Sequence, residues 1–461
     1  MGSATPWALL LLYGLVFFVL SPSASDPGGF YEGRSRSGRA PGTPLLFATV
    51  FVSWIFAKSV TNAANLSGTY GLPGGVAYGA WWLSIPVAGV VIVALRRKFG
   101  ARSLPGWVRA RYGRAAALAF LVAVLIRLYN EVWSNTAVVA AYFGPRGSHA
   151  FLLAAGAFTG LTLLYTLKGG LRSSIFTDAV QAGLFGAFVV LVILLAFPRT
   201  GAGLRRAATS GHWTLAGGVD LLLVGLLQSL SYPFHDPVLT DRGFVSGPRE
   251  TLRAFGLAGV LGFAAIVLFG LVGVPAYLAG TPFQDDAPRV VASALGAGAL
   301  LMVNVVMLTS AGSTLDSTFS SIAKAIDRDG PEIVRGLRPA GSVSGGRAAM
   351  VGIAVLGNLP LLFGARILQA TTVSGTMVIG LAPIFLLGLV LRAPPLSFHL
   401  AFWGGVGIGI AQAAGLVPAA LRIGAGRYAD LLGANLWGLV LVTALFLLPV
   451  LAHPRPARRP R

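Results

Sequence analysis

Uninterrupted apolar runs recur along the chain, separated by short segments in which arginine, glycine and proline collect. Ala254 to Leu278 and Leu431 to Ala452 each match the ~20 residues that a helix needs to cross hydrocarbon. The pattern predicts about thirteen spans, at 6–22, 44–66, 73–95, 115–143, 148–167, 171–197, 214–240, 250–278, 290–323, 346–364, 367–391, 398–418 and 429–452. The expected fold class is therefore an all-α polytopic membrane protein with no soluble domain between its spans. Ser21-Pro22-Ser23-Ala24-Ser25 follows the first span as it would a signal peptide, but no Lys or Arg precedes it, so a retained anchor is expected. Segment 96–114 is basic and sets Leu104, Trp107 and Val108 on one face, which predicts an interfacial helix. The stretch 324–347, rich in Gly, Arg and Ser, reads as a solvated linker.

Composition agrees with the pattern. The 461 residues are 55% hydrophobic and 11% charged, with a mean hydropathy of +0.76, whereas a soluble domain carries about a quarter charged residues. With no Cys, disulfides and thiolate chemistry are excluded. Five scattered His make a His-based metal site an unsupported expectation, and no cofactor is expected. A formal charge of +20 could indicate a nucleic-acid partner, but the 35 Lys and Arg sort by side. Alternate loops, counted with Arg172 and Arg347 at the adjoining span ends, carry 25, the opposite loops carry Arg146, Arg199, Arg205, Arg206, Arg289, Arg366, Arg422 and Arg427, and only Lys58 and Arg127 lie deep within spans. That asymmetry is the positive-inside pattern of a multi-pass protein in a bacterial-type inner membrane, with the N-terminus outside and the C-terminus cytoplasmic. The lipid bilayer, not nucleic acid, accounts for the basic pI.

Polar and ionisable groups inside spans mark candidate sites. The second span is polar through its middle, Ser53-Trp54-Ile55-Phe56-Ala57-Lys58-Ser59-Val60-Thr61-Asn62, and carries an ammonium far from either end. The seventh sets Pro233 and Pro237 around His235-Asp236, and each proline removes a backbone donor, so the helix should break there. Four spans separate these two, which suits two five-helix halves after an anchor, at 44–197 and 198–391, with 1–43 before them and two accessory helices in 392–461. Kinks without function are the alternative, since Pro and Gly are common in membrane helices. In the ninth span Thr309, Ser313, Asp316 and Ser320 share a face. Their oxygens suit a hard monovalent cation, and small hydroxyl residues equally suit close helix packing. Arg127 and Glu131, at i and i+4, predict a structural ion pair. Asp178 follows a Gly-Gly turn and could be a cap or an ion ligand.

These residues resemble the sodium/solute symporter family, which includes the bacterial sodium/galactose and sodium/proline symporters. Phe30-Tyr31-Glu32-Gly33-Arg34, Arg111-Tyr112-Gly113, Gly169-Gly170-Leu171 with Thr177-Asp178 and Gln181, Thr309-Ser310 through Asp316-Ser317, and Gly380-Leu381-Ala382-Pro383 with Leu386-Leu387-Gly388 occur in the family's order. The resemblance implies a five-plus-five inverted-repeat core with two broken helices and a sodium-coupled carrier, not an enzyme. It implies sodium ligands at Thr309, Ser310 and the Val52, Ile55 and Val306 carbonyls, an ion path past Asp178, and solute contacts at Ser59 and Asp236. Asp316 is grouped with Asp178 on that path, and Lys58 and His235 with the solute site.

Lys58 departs from the family pattern. A unit charge 4 Å from a sodium ion would repel it by about 4 kcal/mol at an effective dielectric of 20. The ammonium could pair with Asp236, bind an anionic solute group, or lose its proton and make transport proton-coupled. The expectation is a Lys58–Asp236 pair for which a small polar or carboxylate-bearing solute competes. A sensor that binds without transporting is the rival of another class.

Overall fold

The computed structural model describes residues 4–199, 203–337, 342–363 and 374–452, all helical or irregular, with no strand among them. Nine of the described helices are long and apolar enough to cross a membrane: α4 (Leu72–Phe99), α6 (Arg114–Ala140), α7 (His149–Gly169), α8 (Leu171–Arg199), α11 (Pro248–Ala279), α13 (Ala297–Lys324), α14 (Ser344–Phe363), α16 (Pro395–Ala413) and α17 (Ala429–Ala452). A tenth span is the pair α2 (Thr43–Ser53) and α3 (Ala57–Tyr70), bent by 59°. Two shorter apolar helices, α1 (Ala4–Leu20) and α9 (Val219–Gln228), complete the set.

Several expected boundaries change. Span 214–240 breaks where its prolines lead one to expect, though earlier than Pro233: α9 ends at Gln228, a 3₁₀ turn occupies Tyr232–His235, and α10 (Pro237–Thr240) restarts the chain. Span 290–323 is two elements, because the short helix α12 (Ala287–Leu295) stops before Gly296, whose φ of +105° favours glycine. Part of span 367–391 lies outside the described residues, and Leu381–Leu386 (α15) is the longest regular stretch among those described. The expected linker 324–347 begins as structure. The chain runs on from α13 through a π-turn at Ala325–Asp329, burying Asp327 and Asp329. Segment 96–114 does hold a helix, α5 (Leu104–Tyr112), with Leu104, Trp107 and Val108 buried.

Small residues set the packing. α8 lies along α13 and α2, and α11 crosses α2 and α4. Gly170 turns the chain from α7 into α8 at φ +55°, and a Cβ there would collide with the Phe30 carbonyl. The outward faces of the long helices keep Val90, Ile126, Leu153, Val260 and Val440 exposed, as a lipid-facing surface requires.

Candidate functional site

At the first break the chain leaves α2 through Trp54, takes an extended conformation at Phe56 (ψ 142°), and restarts as α3. No proline forces this. The freed carbonyls are instead taken by hydroxyls of α13: Ser310 donates to the Ile55 carbonyl, and Thr314 to the Ser53 carbonyl at 3.4 Å. Thr309 donates to the Val305 and Val306 carbonyls at 2.9 and 3.0 Å. The Val52 carbonyl accepts from the Ile55 amide at 3.0 Å, within the last turn of α2. Residues from two distant parts of the sequence thus form one cluster of oxygens at a helix C-terminus, where the backbone dipole favours a cation.

The second break lies beside the first. Asp236 adopts an extended conformation, and its Oδ1 caps α10 by accepting from Val238 N at 3.0 Å. Its Oδ2 accepts from Trp54 Nε1 at 2.9 Å and Arg127 Nη2 at 2.8 Å. The expected Lys58–Asp236 pair is not what forms. Lys58 Nζ lies 2.6 Å from Glu131 Oε1 and 3.1 Å from Ser134 Oγ, while Arg127 touches both Glu131 and Asp236. The reason is geometric: α6 runs between the two breaks and supplies a nearer acid to the ammonium. Lys58, Glu131, Arg127 and Asp236 form one chain of alternating charge, each member at most 2% exposed. Two cations and two anions cancel, so the repulsion that a lone Lys58 would exert on a neighbouring ion is largely removed. Lys58 also sits in the first turn of α3, where the helix dipole disfavours a cation, and Glu131 offsets that cost.

A cavity of about 1170 Å³ opens on the side that carries Arg146, Arg289 and Arg427 and descends along Thr69, Asn65, Asn62 and Thr61 to Lys58. Of the four expected solute residues, Lys58 lines it. Ser59 faces Tyr78 on α4, 3.2 Å between hydroxyls, and Asp236 is enclosed by Trp54 and Arg127. His235 packs edge-on against Tyr232, with Nδ1 2.6 Å from the Tyr232 carbonyl. The polar run read in the sequence stopped at Asn62, and the continuation of that face of α3 to Asn65 and Thr69 was missed. Its signal was there, since Thr61, Asn62, Asn65 and Thr69 recur at helical spacing.

Beyond the oxygen cluster, away from the cavity, lies a second charged pocket. Asp178 is the eighth residue of α8, and its side chain leaves the helix instead of capping it. It accepts from Thr49 and from Ser313 at 2.5 Å, and pairs with Arg242 at 2.9 Å. Asp316 accepts from Thr177 at 2.8 Å, Ser174 at 2.9 Å and Tyr165 at 3.1 Å. Arg242, expected in a basic loop, is fully buried. This end of the molecule is closed by Lys324 on Asp241, Tyr31 on Asp327 at 2.7 Å, and Arg96 on the Gly243 carbonyl at 2.7 Å.

A model of the sodium:solute symporter family matches residues 37–315. The urea active transporter of Saccharomyces cerevisiae is 25% identical over 270 residues, 52% of this chain and 36% of that protein. The sodium/myo-inositol cotransporter of Mus musculus is 23% identical over 397 residues, 71% of this chain and 53% of its own length. The chain thus spans about half, or less, of these relatives. Among solved structures, a Na+-coupled sialic acid symporter in a substrate-bound outward-open state superposes with a TM-score of 0.73 at 16% identity, covering 98% of this chain and 97% of that one. The architecture is accordingly an inverted-repeat helical core with two broken helices.

Proposed function

This chain belongs to the sodium:solute symporter family, and on that premise we propose that it is a cation-coupled symporter, with sodium as the coupling ion, for a small polar or carboxylate-bearing solute. The reading is carried by one observation: Ser310 of the second half meets the Ile55 carbonyl at the break of the first. An ion there, held by Thr309, Ser310 and the Val52, Ile55 and Val306 carbonyls, would link α13 to the α2–α3 break. The Ser310 proton must then rotate off the Ile55 carbonyl, leaving both oxygens to face the ion. Binding would favour whichever arrangement keeps α13 against the break, which is how an ion biases alternating access.

The solute enters by the cavity and meets Lys58, with Thr61 and Asn62 above it. A carboxylate there competes with Glu131 for the ammonium. Ser59, His235 and Asp236 then act behind Lys58 by fixing the two breaks, and Arg127 with Glu131 holds the charge chain between them. Asp178 and Asp316 form the ion's path on the far side. The cavity opens on the sparsely basic side, so by the positive-inside pattern this is an outward-facing arrangement.

A second reading is favoured by the charge chain itself. A proton on Glu131 would release Lys58, so coupling to protons needs no further group. One experiment separates the two. Purified protein is melted with a panel of amino acids, carboxylates, amides and sugars in sodium, potassium or acid buffer, since a ligand of the folded state raises the melting temperature. Sodium-dependent stabilisation by a solute, followed by sodium-driven accumulation in proteoliposomes, is the expected result. Stabilisation by acid alone supports the proton reading, and binding without accumulation would make the protein a sensor.

A further inference from the structure

The reading above leaves Arg242 without a task, yet its guanidinium is fully buried and gathers acceptors from four helices. Nε donates to Thr49 Oγ1 of α2 at 2.7 Å, and Nη1 to the Val238 carbonyl of α10 at 2.5 Å. Nη2 donates to Asp178 Oδ2 at 2.9 Å and Ser174 Oγ at 3.2 Å on α8, and to Ser317 Oγ of α13 at 2.5 Å. On its other side Asp178 accepts from Ser313, one helical turn past Thr309 and Ser310. The hydroxyls at 309, 310, 313 and 317 therefore form a ladder down α13 that starts at the oxygen cluster and ends on a carboxylate already neutralised by a cation. Asp316, the other acid of the pocket, is engaged by Tyr165, Ser174 and Thr177.

A buried carboxylate left without a cation is costly, and so is a buried guanidinium without an anion. One cation can nonetheless replace another at Asp178 with no change in buried charge. Arg242 is placed to withdraw, because it hangs from the short turn Asp241–Phe244 that follows the broken span, and not from the body of a long helix. We propose that the Arg242 guanidinium is a built-in cation that stoppers the far end of this hydroxyl ladder, and that a coupling ion leaves when it takes the place of Arg242 on Asp178. The identity of that ion rests on the symport reading; the stopper does not.

The chain has no cysteine, so Ser313→Cys introduces a single thiol inside the ladder. The full-length protein in detergent is treated with a cationic methanethiosulfonate reagent and the labelling rate is followed. With Arg242 in place labelling is slow. Arg242→Gln raises the rate about tenfold or more, whereas Arg242→Lys, which keeps a cation, stays within about twofold. Asp178→Asn removes the anchor of the guanidinium and raises the rate as well, which keeps the test decisive should Arg242→Gln fail to fold. Equal rates in folded Arg242→Gln, or in Asp178→Asn, would overturn the stopper and leave Arg242 a brace between helices. Sodium-dependent melting of the unmodified chain is read alongside. No sodium effect together with faster labelling removes sodium from the function and keeps the stopper; a sodium effect with unchanged labelling does the reverse.

Discussion

Glu131 holds two cations at once, Lys58 and Arg127, in a place that water does not reach. Glu131→Gln should therefore leave a buried excess of positive charge and cost about 3–5 kcal/mol, the usual range for breaking a buried pair. Adding Lys58→Met should restore much of the loss, and a double-mutant cycle on thermal melting measures the coupling directly. Ser310→Ala removes one oxygen from the proposed ion site, and a loss of roughly 1.5 kcal/mol, the scale of a hydrogen bond to a charged group, is expected. It would be read as about a tenfold higher sodium concentration for half-maximal stabilisation, and an unchanged concentration would remove Ser310 from the ion site. Lys58 and Asp236 stood out in the sequence because charge inside an apolar run is conspicuous. Their partners were less legible. The i, i+4 spacing singled out Arg127 and Glu131 as self-sufficient, and nothing in one chain reveals that α6 passes between both breaks. Arg242 was misplaced because hydropathy ended the seventh span at 240. Yet a helix broken at Pro237 rises only ~1.5 Å per residue afterwards, so five residues could not have carried Arg242 to the surface.

At the scale of elements, the two interruptions differ in origin, and this explains why one was easier to locate. Pro233 and Pro237 dictate the second from within the strand of sequence itself. The first is completed from outside, by Ser310 and Thr314 accepting the role of partner to carbonyls that α2 no longer covers. The Gly169-Gly170 corner is likewise dictated locally. Gly170→Ala places a side chain at positive φ and against the Phe30 carbonyl, so it should destabilise by about 1–3 kcal/mol. Lower melting temperature and poorer membrane yield would report it, and wild-type stability would not fit the geometry. The segment packed on this corner carries a pH response. Asp26 accepts from the Gly29 amide at 2.6 Å and pairs with Arg172, which holds its carboxyl below the usual carboxylate value. A depressed value means that its contribution is complete above the unfolded-state pKa and is lost as pH falls through the folded one. Proteolysis of residues 23–36 should therefore quicken only in acid, and Asp26→Asn should remove that pH dependence.

For the molecule as a whole, the cavity on one side and the ionic closures on the other fit the proposed carrier in an arrangement open to one face. Thr61→Cys, on the cavity wall a turn from Lys58, should react with an impermeant thiol reagent added to intact cells, and a transported solute should slow it. Labelling only from the cytoplasmic side would reverse the orientation drawn from the Lys and Arg distribution. The number of spans was the least legible global feature, because apolar length alone cannot tell a crossing helix from a broken one. A last consequence follows from α1, which precedes the first broken span. Its Tyr13 hydroxyl lies 2.7 Å from the Gln181 side chain and so near Gly312 that a Cβ there would overlap it. The first helix thus rests on α13 like a shaft in its bearing, two residues from Ser310. Any tilting of α13 must pivot at that point or drag the first helix with it, which would put the fulcrum of the proposed transport cycle within a turn of the proposed ion site.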